Sequence, residues 1–321
     1  MTARARVKVV VPGDDPIQIV GSPHLDRLSP YGEVVLYDIL PASRDEQLAR
    51  SKDADVIINT RSAVKWHEAE MHELPKLRLI ATCSIGTDMI DLKAAADLGV
   101  AVCNQPGRTA GVVAEHIFGL MFAVAKRGAY QTAELKAGRW ARMENIYLQG
   151  KTLGIVGTGN VGGELARLAR AIGMDVIAWT FNPSPERASE LGVSYVELDE
   201  LLARSDVVSL NVRLTDETKH IIGGREFGLM KPGALLLNGG RGDLVETEAL
   251  VEALDSGRLA GAGLDVFDIE PLPADHPILA CDQVVMTPHM ADQTPEGMEL
   301  LNEGAVDNVI AFLEGRPQNV V

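Results

Sequence analysis

The sequence predicts an α/β protein of two domains, each a parallel sheet with helices on both faces. Three observations carry that reading. At 321 residues the chain is longer than one hydrophobic core commonly supports. Short, near-continuous apolar runs alternate with helix-length segments along it, the pattern of strands buried on both faces and joined by crossover helices. A glycine-rich turn in LGIVGTGNVGG, residues 153–163, restarts the alternation in mid-chain.

Taken in order, residues 7–11, 33–37 and 56–59 read as strands, with helices at 45–51 and around 67–74. Two more strands follow at 79–82 and 100–103, separated by a helix at 91–98. A long apolar, alanine-rich helix is expected over 112–129, with the length to cross from one domain to the other. The second alternation has strands at 153–156, 176–179, 207–210, 234–238, 260–264 and 284–287. Helices fit at 161–171, around 186–191, at 246–254 and in shorter pieces elsewhere. Gly257 ends one of them, and Met230-Lys231-Pro232-Gly233 makes a turn before a strand. The last helix, 294–313, interleaves acids with Leu300, Leu301, Val306, Val309 and Phe312. The halves are alike in architecture and not in sequence, with no internal repeat or low-complexity tract.

Composition narrows the function class. An apolar fraction of 46% with 23% charged residues is ordinary for a soluble, folded protein. The 45 acids against 30 bases, net −15, disfavour nucleic acid and anionic membranes as partners. A small anionic substrate stays open, because a few local arginines can set the field in a cleft. Cys83, Cys103 and Cys281 are too scattered for a disulfide framework or a zinc cluster, and His24, His67, His72, His220 and His276 lack companions at metal-ligand spacing. No metal is expected. The start of the chain has only a brief apolar run before Pro12 and does not read as a signal peptide. With no window long enough to span a bilayer, a cytoplasmic location is expected.

The glycine-rich turn carries the first chemistry. Gly157 permits a tight turn after the strand, Gly159 lets backbone approach a pyrophosphate, and Gly162 lets the helix lie close to the sheet. The free amides of the helix's first turn, at Asn160 and Val161, then face phosphate. Helix-packing glycines in a flavodoxin-like domain would give a similar string; the strand before it and the further strand after it favour a dinucleotide.

Across nearly its whole length the chain resembles the D-isomer-specific 2-hydroxyacid dehydrogenase family. The motifs that carry the likeness are IGTDMIDLKAAADLGVAVCNQPG, VAEHIFGLMFAVAKR, GKTLGIVGTGNVG, LMKPGALLLNGGRGDLV, AGAGLDVFDIEPLPADHP and TPHMADQT. The resemblance implies a Rossmann cofactor domain at about 105–289. It implies a flavodoxin-like substrate domain made of 1–104 completed by 290–321, with the active site in the cleft between the two. It further implies reduction of a 2-keto acid to a D-2-hydroxy acid, or the reverse, with NAD or NADP. A catalytic trio of Arg241, Glu270 and His289 follows from the same likeness.

The chemistry fits those residue types. Hydride delivery to a carbonyl carbon needs a proton on the carbonyl oxygen, and imidazolium is a suitable acid near neutral pH. Glu270 beside His289 would orient the ring and favour its charged form. Arg241 offers a planar fork to a carboxylate or carbonyl oxygen. The amides of Ile85 and Gly86, in SIGTD, are similar to the family's second carboxylate clamp, and Arg61, in NTRSAV, is a candidate for added charge on that side. Asp265 in GLDVF corresponds to the family's acid near the nicotinamide carboxamide. Glu115 and His116 are expected to serve domain packing.

Several positions depart from the family pattern. Gly239 and Gly240 stand before Arg241 where the family more often has small polar residues or alanines. Asn211 replaces a common histidine, retained here as a cofactor candidate, and Arg213 replaces a proline. Ala291 sits where glycine is customary, and Asp292 adds an acid after it. Most telling, the strand at 176–179 ends in Thr180 and not in the acid that would grip a ribose 2′-hydroxyl. Threonine removes the repulsion of a 2′-phosphate, yet no arginine stands at 181 or 182; the nearest is Arg187, and Asn182 can reach the ribose unaided. NAD is expected, with NADP possible. The ending GRPQNVV suggests no regulatory extension of the kind found on longer phosphoglycerate dehydrogenases. The alternative reading is a cofactor-sensing binding protein resembling the C-terminal-binding-protein corepressors. The apolar 112–129 helix and Gly138-Arg139-Trp140 lead to the expectation of a homodimer.

Overall fold

Two all-parallel sheets organise the chain. The computed structural model describes residues 6–61 and 63–321. The basic start of the chain, which bears on the signal-peptide expectation, and Ser62 of NTRSAV lie outside the described residues. Among the described residues no helix is long and apolar enough to cross a membrane.

The first sheet holds β1 (Val7–Val11), β2 (Gly32–Leu36), β3 (Val56–Thr60), β4 (Leu79–Cys83) and β5 (Ala101–Cys103) in the order β2-β1-β3-β4-β5. That is the flavodoxin-like order, whose switch point falls between β1 and β3. Helices α1 (Arg44–Ser51), α2 (Glu68–His72) and α3 (Leu92–Asp97) make the crossovers. Alternation along each strand feeds two cores. Val9, Val11 and Ile58 enter one, and Val10, Ile57 and Ile80 the other.

The second unit begins with α4 (Ala110–Ala125) and α5 (Gly128–Lys136). There follow β6 (Thr152–Val156), α6 (Asn160–Ala171), β7 (Asp175–Trp179), α7 (Pro185–Leu191), β8 (Ser194–Tyr195), α8 (Leu198–Arg204) and β9 (Val207–Leu210). It is completed by α9 (Gly224–Leu229), β10 (Ala234–Asn238), α10 (Thr247–Asp255), β11 (Leu259–Leu264) and β12 (Val284–Met286). The order β12-β11-β10-β9-β6-β7-β8 reverses direction between β6 and β9. This is the doubly wound nucleotide-binding arrangement with one strand added at the β12 edge, and its ligand crevice lies at that reversal. Again strands alternate, Val156 and Leu236 entering one core and Ile155 and Leu237 the other.

The chain then returns to the first unit through α11 (Pro295–Leu313), capped by Thr294, whose hydroxyl accepts from the Gly297 amide at 2.9 Å. Leu301, Ala305, Val306 and Val309 place its apolar stripe in the same core as Val9 and Val11. Gly304 is required here: a Cβ would sit 1.9 Å from Gln105 Oε1.

Two expectations are corrected. The helix foreseen at 112–129 is two helices, because Arg127 adopts a left-handed backbone (φ 49°) between α4 and α5. Nor does it cross domains: α4 lies wholly in the second unit and packs on α6, β10 and β11. The units divide after Thr109 and after Asp292, not after 104 and 289. Gln105 explains the first displacement, since its amide donates to Ser84 O at 3.1 Å and its side chain to Thr82 O at 3.0 Å. The Met290 and Ala291 amides explain the second, each donating at 2.9 Å to Asp265 in the seven-stranded unit.

Candidate functional site

At the β6–β9 reversal the three glycines have three different surroundings. Gly157 takes φ +98°, and a Cβ there would lie 2.8 Å from the Asn211 carbonyl beyond β9, so only glycine lets the two loops touch. Gly162 places the first turn of α6 on the Gly157 carbonyl, where a Cβ would come within 2.1 Å. A Cβ on Gly159, the N-cap, would meet nothing within 4 Å. Open space therefore stands at the helix N-terminus, where the unsatisfied amides of Asn160, Val161 and Gly162 gather. Asn211 donates to Ser209 O and Oγ at 3.1 Å, but its buried Oδ1 has no partner. An open cradle, a helix N-terminus and an orphaned buried acceptor fit a dinucleotide bearing hydroxyl donors. Thr180, half-buried, and the exposed Asn182 follow β7. Arg187 is tied to Glu190 at 2.9 Å and lies over Gly163.

Three loops of the same sheet carry the expected trio. Arg241 follows β10, and its loop is shaped by Asn238, which donates to Arg241 O at 2.8 Å and accepts from the Gly240 amide at 3.1 Å. Gly242 lets that loop press on the next one, since a Cβ would stand 1.9 Å from the Phe267 carbonyl carbon. Gly239 is likewise filled from outside: a Cβ would lie 2.7 Å from the end of Ile117. Glu270 lies in the loop after β11, where Oε1 accepts from the Phe267 amide at 2.9 Å. Its Oε2 meets His289 Nδ1 at 2.7 Å. His289 follows β12.

The electrostatics suit a proton donor. The Glu270 bond lifts the His289 imidazolium above its ordinary range, against the opposing pull of burial and of Arg241. Burial is the largest influence on Glu270 and pushes it up, but the His289 bond, the Phe267 amide and the nearby positive charges outweigh it and hold the carboxyl low. With Nδ1 engaged by Glu270, Nε2 is the ring atom left for a substrate; no protein group among the described residues meets it.

Asp265 is committed to the turn that carries His289. It is buried, and Oδ1 accepts from Thr287 Oγ1 at 2.6 Å and the Met290 amide at 2.9 Å, while Oδ2 accepts from the Ala291 amide at 2.9 Å. Its carbonyl accepts from the His289 amide at 2.7 Å. The residue thus grips the His289 turn on four sides. Burial raises its carboxyl, but these bonds and that of His116 together keep it below the usual range. The grip matters because His289 itself sits at φ 49°, a conformation costly for a residue with a Cβ.

In the five-stranded unit, the loop after β4 turns its carbonyls inward. Ser84 O accepts from the Gln105 amide at 3.1 Å, Ile85 O from Asn104 Nδ2 at 2.8 Å, and Gly86 O from Ser84 Oγ at 2.8 Å. The Ile85 and Gly86 amides have no acceptor among the described residues. Arg61 follows β3, left-handed at φ 49°. Its Nε donates to Pro16 O at 2.8 Å, Nη2 to Ile17 O at 3.3 Å, and Nη1 to Gln293. All three nitrogens tie the chain to itself, so the guanidinium is a brace.

Sequence reasoning missed three contributors. His116, expected to serve packing, meets Thr287 Oγ1 at 2.9 Å. In the sequence Thr287 reads as a strand end and Asn238 as a strand residue. Only the fold brings 116, 265 and 287 together, so no local signal could have found them.

Comparison with known proteins follows the same lines. Residues 118–291 match the family described as D-isomer specific 2-hydroxyacid dehydrogenase, NAD binding domain. A glyoxylate reductase of Aeropyrum pernix is 37% identical over 308 residues, covering 92% of each chain. A hydroxypyruvate reductase of Thermotoga maritima is 41% identical over 84% of this chain and 88% of its own. A solved acyclic imino acid reductase in complex with NADPH and D-Arg superposes with a TM-score of 0.88 at 26% identity, over 98% of this chain and all of that one.

Proposed function

Because the chain belongs to the D-isomer-specific 2-hydroxyacid dehydrogenase family, and so interconverts 2-keto and D-2-hydroxy acids by NAD(P)-dependent hydride transfer, we propose that it reduces a small 2-keto acid of the glyoxylate and hydroxypyruvate class. Relatives named for those two substrates support the choice. The observation that carries the reading is the 2.7 Å Glu270–His289 bond with Nε2 left open.

The nicotinamide cofactor, when bound, supplies a hydride to the carbonyl carbon. The protein must then complete the balance. His289 Nε2 gives its proton to the carbonyl oxygen as the C=O π bond becomes an alcohol, and Glu270 stabilises the imidazolium until that moment. Arg241 holds the substrate carboxylate or polarises its carbonyl. In the oxidative direction each transfer reverses.

For the cofactor we infer NAD as preferred with NADP accepted. Thr180 brings no charge against a 2′-phosphate, and Arg187 is already occupied by Glu190. A cytoplasmic homodimer completes the reading. Helix α5 has no buried residue, and Trp140 beyond it is 78% exposed, apolar area that a second copy would cover. The three cysteines are buried and unpaired, as in a reducing compartment.

The test is oxidation of NADH and NADPH with a panel of 2-keto acids, followed by chiral analysis of product. Turnover with glyoxylate or hydroxypyruvate, giving the D form from the latter, is expected. Activity confined to bulky aliphatic or aromatic 2-keto acids would overturn the substrate class.

A further inference from the structure

His116 and Thr287 lie outside the trio, yet their hydrogen bonds have a forced direction. Thr287 has one hydroxyl proton, and its 2.6 Å contact with Asp265 Oδ1 uses it, because an ionised carboxylate only accepts. Thr287 Oγ1 must then accept from His116 Nε2, 2.9 Å away. The same ring nitrogen stands 3.5 Å from Asp265 Oδ1. His116 is therefore fixed with its proton on Nε2, at the head of a chain running from His116 through Thr287 to Asp265. Asp265 in turn holds the amides of Met290 and Ala291 and, through its carbonyl, that of His289.

We propose that His116 is a positioning residue for the reaction: as a proton donor from α4 it aligns Thr287 and Asp265, and through them the strained turn that aims His289. The physical reason lies in the φ of 49° at His289. A left-handed backbone at a residue with a Cβ persists only where surrounding bonds over-determine it, and Asp265 supplies those bonds. Asp265 Oδ1 already accepts two donors. If His116 no longer donates to Thr287, the hydroxyl is free to rotate off Asp265, and the carboxylate loses the anchor at the strand end of the turn. His116 is well placed for the task, because α4 packs on β11 and β12, the strands that lead into Asp265 and His289. The proposal rests on His289 as the proton donor.

The experiment compares His116→Leu, which keeps bulk and removes the donor, with His116→Gln, whose amide keeps an N–H. The leucine variant should lower kcat on the order of tenfold, since small misplacements of a catalytic group are costly. KM and the affinity for reduced cofactor should stay within about threefold, and glutamine should recover most of kcat. Thr287→Val should reproduce the leucine loss, and the double variant should be no worse than either single one. If His116→Leu fails to fold, Thr287→Val carries the same comparison. Independently of turnover, nitrogen-15 spectra of the histidine rings should show His116 protonated on Nε2. An Nδ1–H ring at His116, or leucine and glutamine variants equal in kcat, overturns the proposal alone. A wild type inactive on every 2-keto acid overturns the reaction reading as well.

Discussion

Two histidine–carboxylate pairs lie close together in the sequence of the seven-stranded unit, and they differ in almost everything but composition. His276 Nε2 meets Asp268 at 3.0 Å, and His289 Nδ1 meets Glu270 at 2.7 Å. The His276 side chain is only 6% exposed, and its other nitrogen accepts from the Ile278 amide at 3.4 Å, capping a short turn. Both ring nitrogens are committed to the fold. The His289 side chain is 47% exposed, and its carboxylate partner takes one nitrogen and leaves the other open. Proximity of a carboxylate to an imidazole therefore does not make an acid catalyst. What makes one is an open second nitrogen on an accessible ring.

The largest expected effect separates the pairs. His289→Gln should lower keto-acid turnover by roughly 10²- to 10⁴-fold, the contribution typical of a positioned acid, with reduced-cofactor affinity nearly unchanged. His276→Gln should leave turnover within a few-fold and act on stability instead. It weakens the turn cap and the partner of Asp268, a loss of about 1–3 kcal/mol readable as an earlier urea midpoint. Equal loss of turnover in both would mean that the exposure argument is wrong.

Arg241→Lys comes next. Replacing the planar fork with a point charge should cost about 10- to 100-fold in kcat/KM, as the loss of one strong charged hydrogen bond worth about 1.5–3 kcal/mol predicts. Steady-state kinetics on a 2-keto acid lacking other charged groups checks it.

The smallest effects concern tuning. Thr180→Asp should strengthen the preference for NADH over NADPH by about tenfold, mostly by placing a carboxylate against the 2′-phosphate. Titration of both cofactors at fixed ionic strength measures it, and an unchanged ratio would remove residue 180 from the ribose site. Glu270→Gln should move the alkaline limb of keto-acid reduction to lower pH. The sign follows from the shift: Glu270 raises the His289 value, so without it the imidazolium is lost earlier as pH rises.

Much of the fold is legible in the sequence. Strands such as 7–11 and 207–210 are continuous apolar runs bounded by turn residues, and burial on both faces demands that pattern. Gly157, Gly159 and Gly162 announce their turn by spacing, and Arg241, Glu270 and His289 were reached through family motifs. The break between α4 and α5 has a local signal: Lys126-Arg127-Gly128 is a basic last turn followed by glycine. What closes that helix end is remote, since the Ile146 amide bonds Ala125 O at 2.9 Å and Lys126 Nζ bonds Ile146 O at 2.6 Å. The bracing bonds of Arg61 are hidden in the sequence for a similar reason. Nothing in NTRSAV shows that Pro16, Ile17 and Gln293 will occupy its guanidinium. Local pattern reveals elements and turns, whereas partners distant in sequence decide whether a polar side chain braces or acts.

The role of His289 as proton donor is tested most directly by its own protonation, followed by ring-proton and nitrogen-15 NMR across neutral pH in the wild type and in Glu270→Gln. A midpoint above histidine's ordinary 6.5 is expected in the wild type, with a fall when the carboxylate is removed. A midpoint at or below the ordinary value that ignores Glu270→Gln would contradict that role.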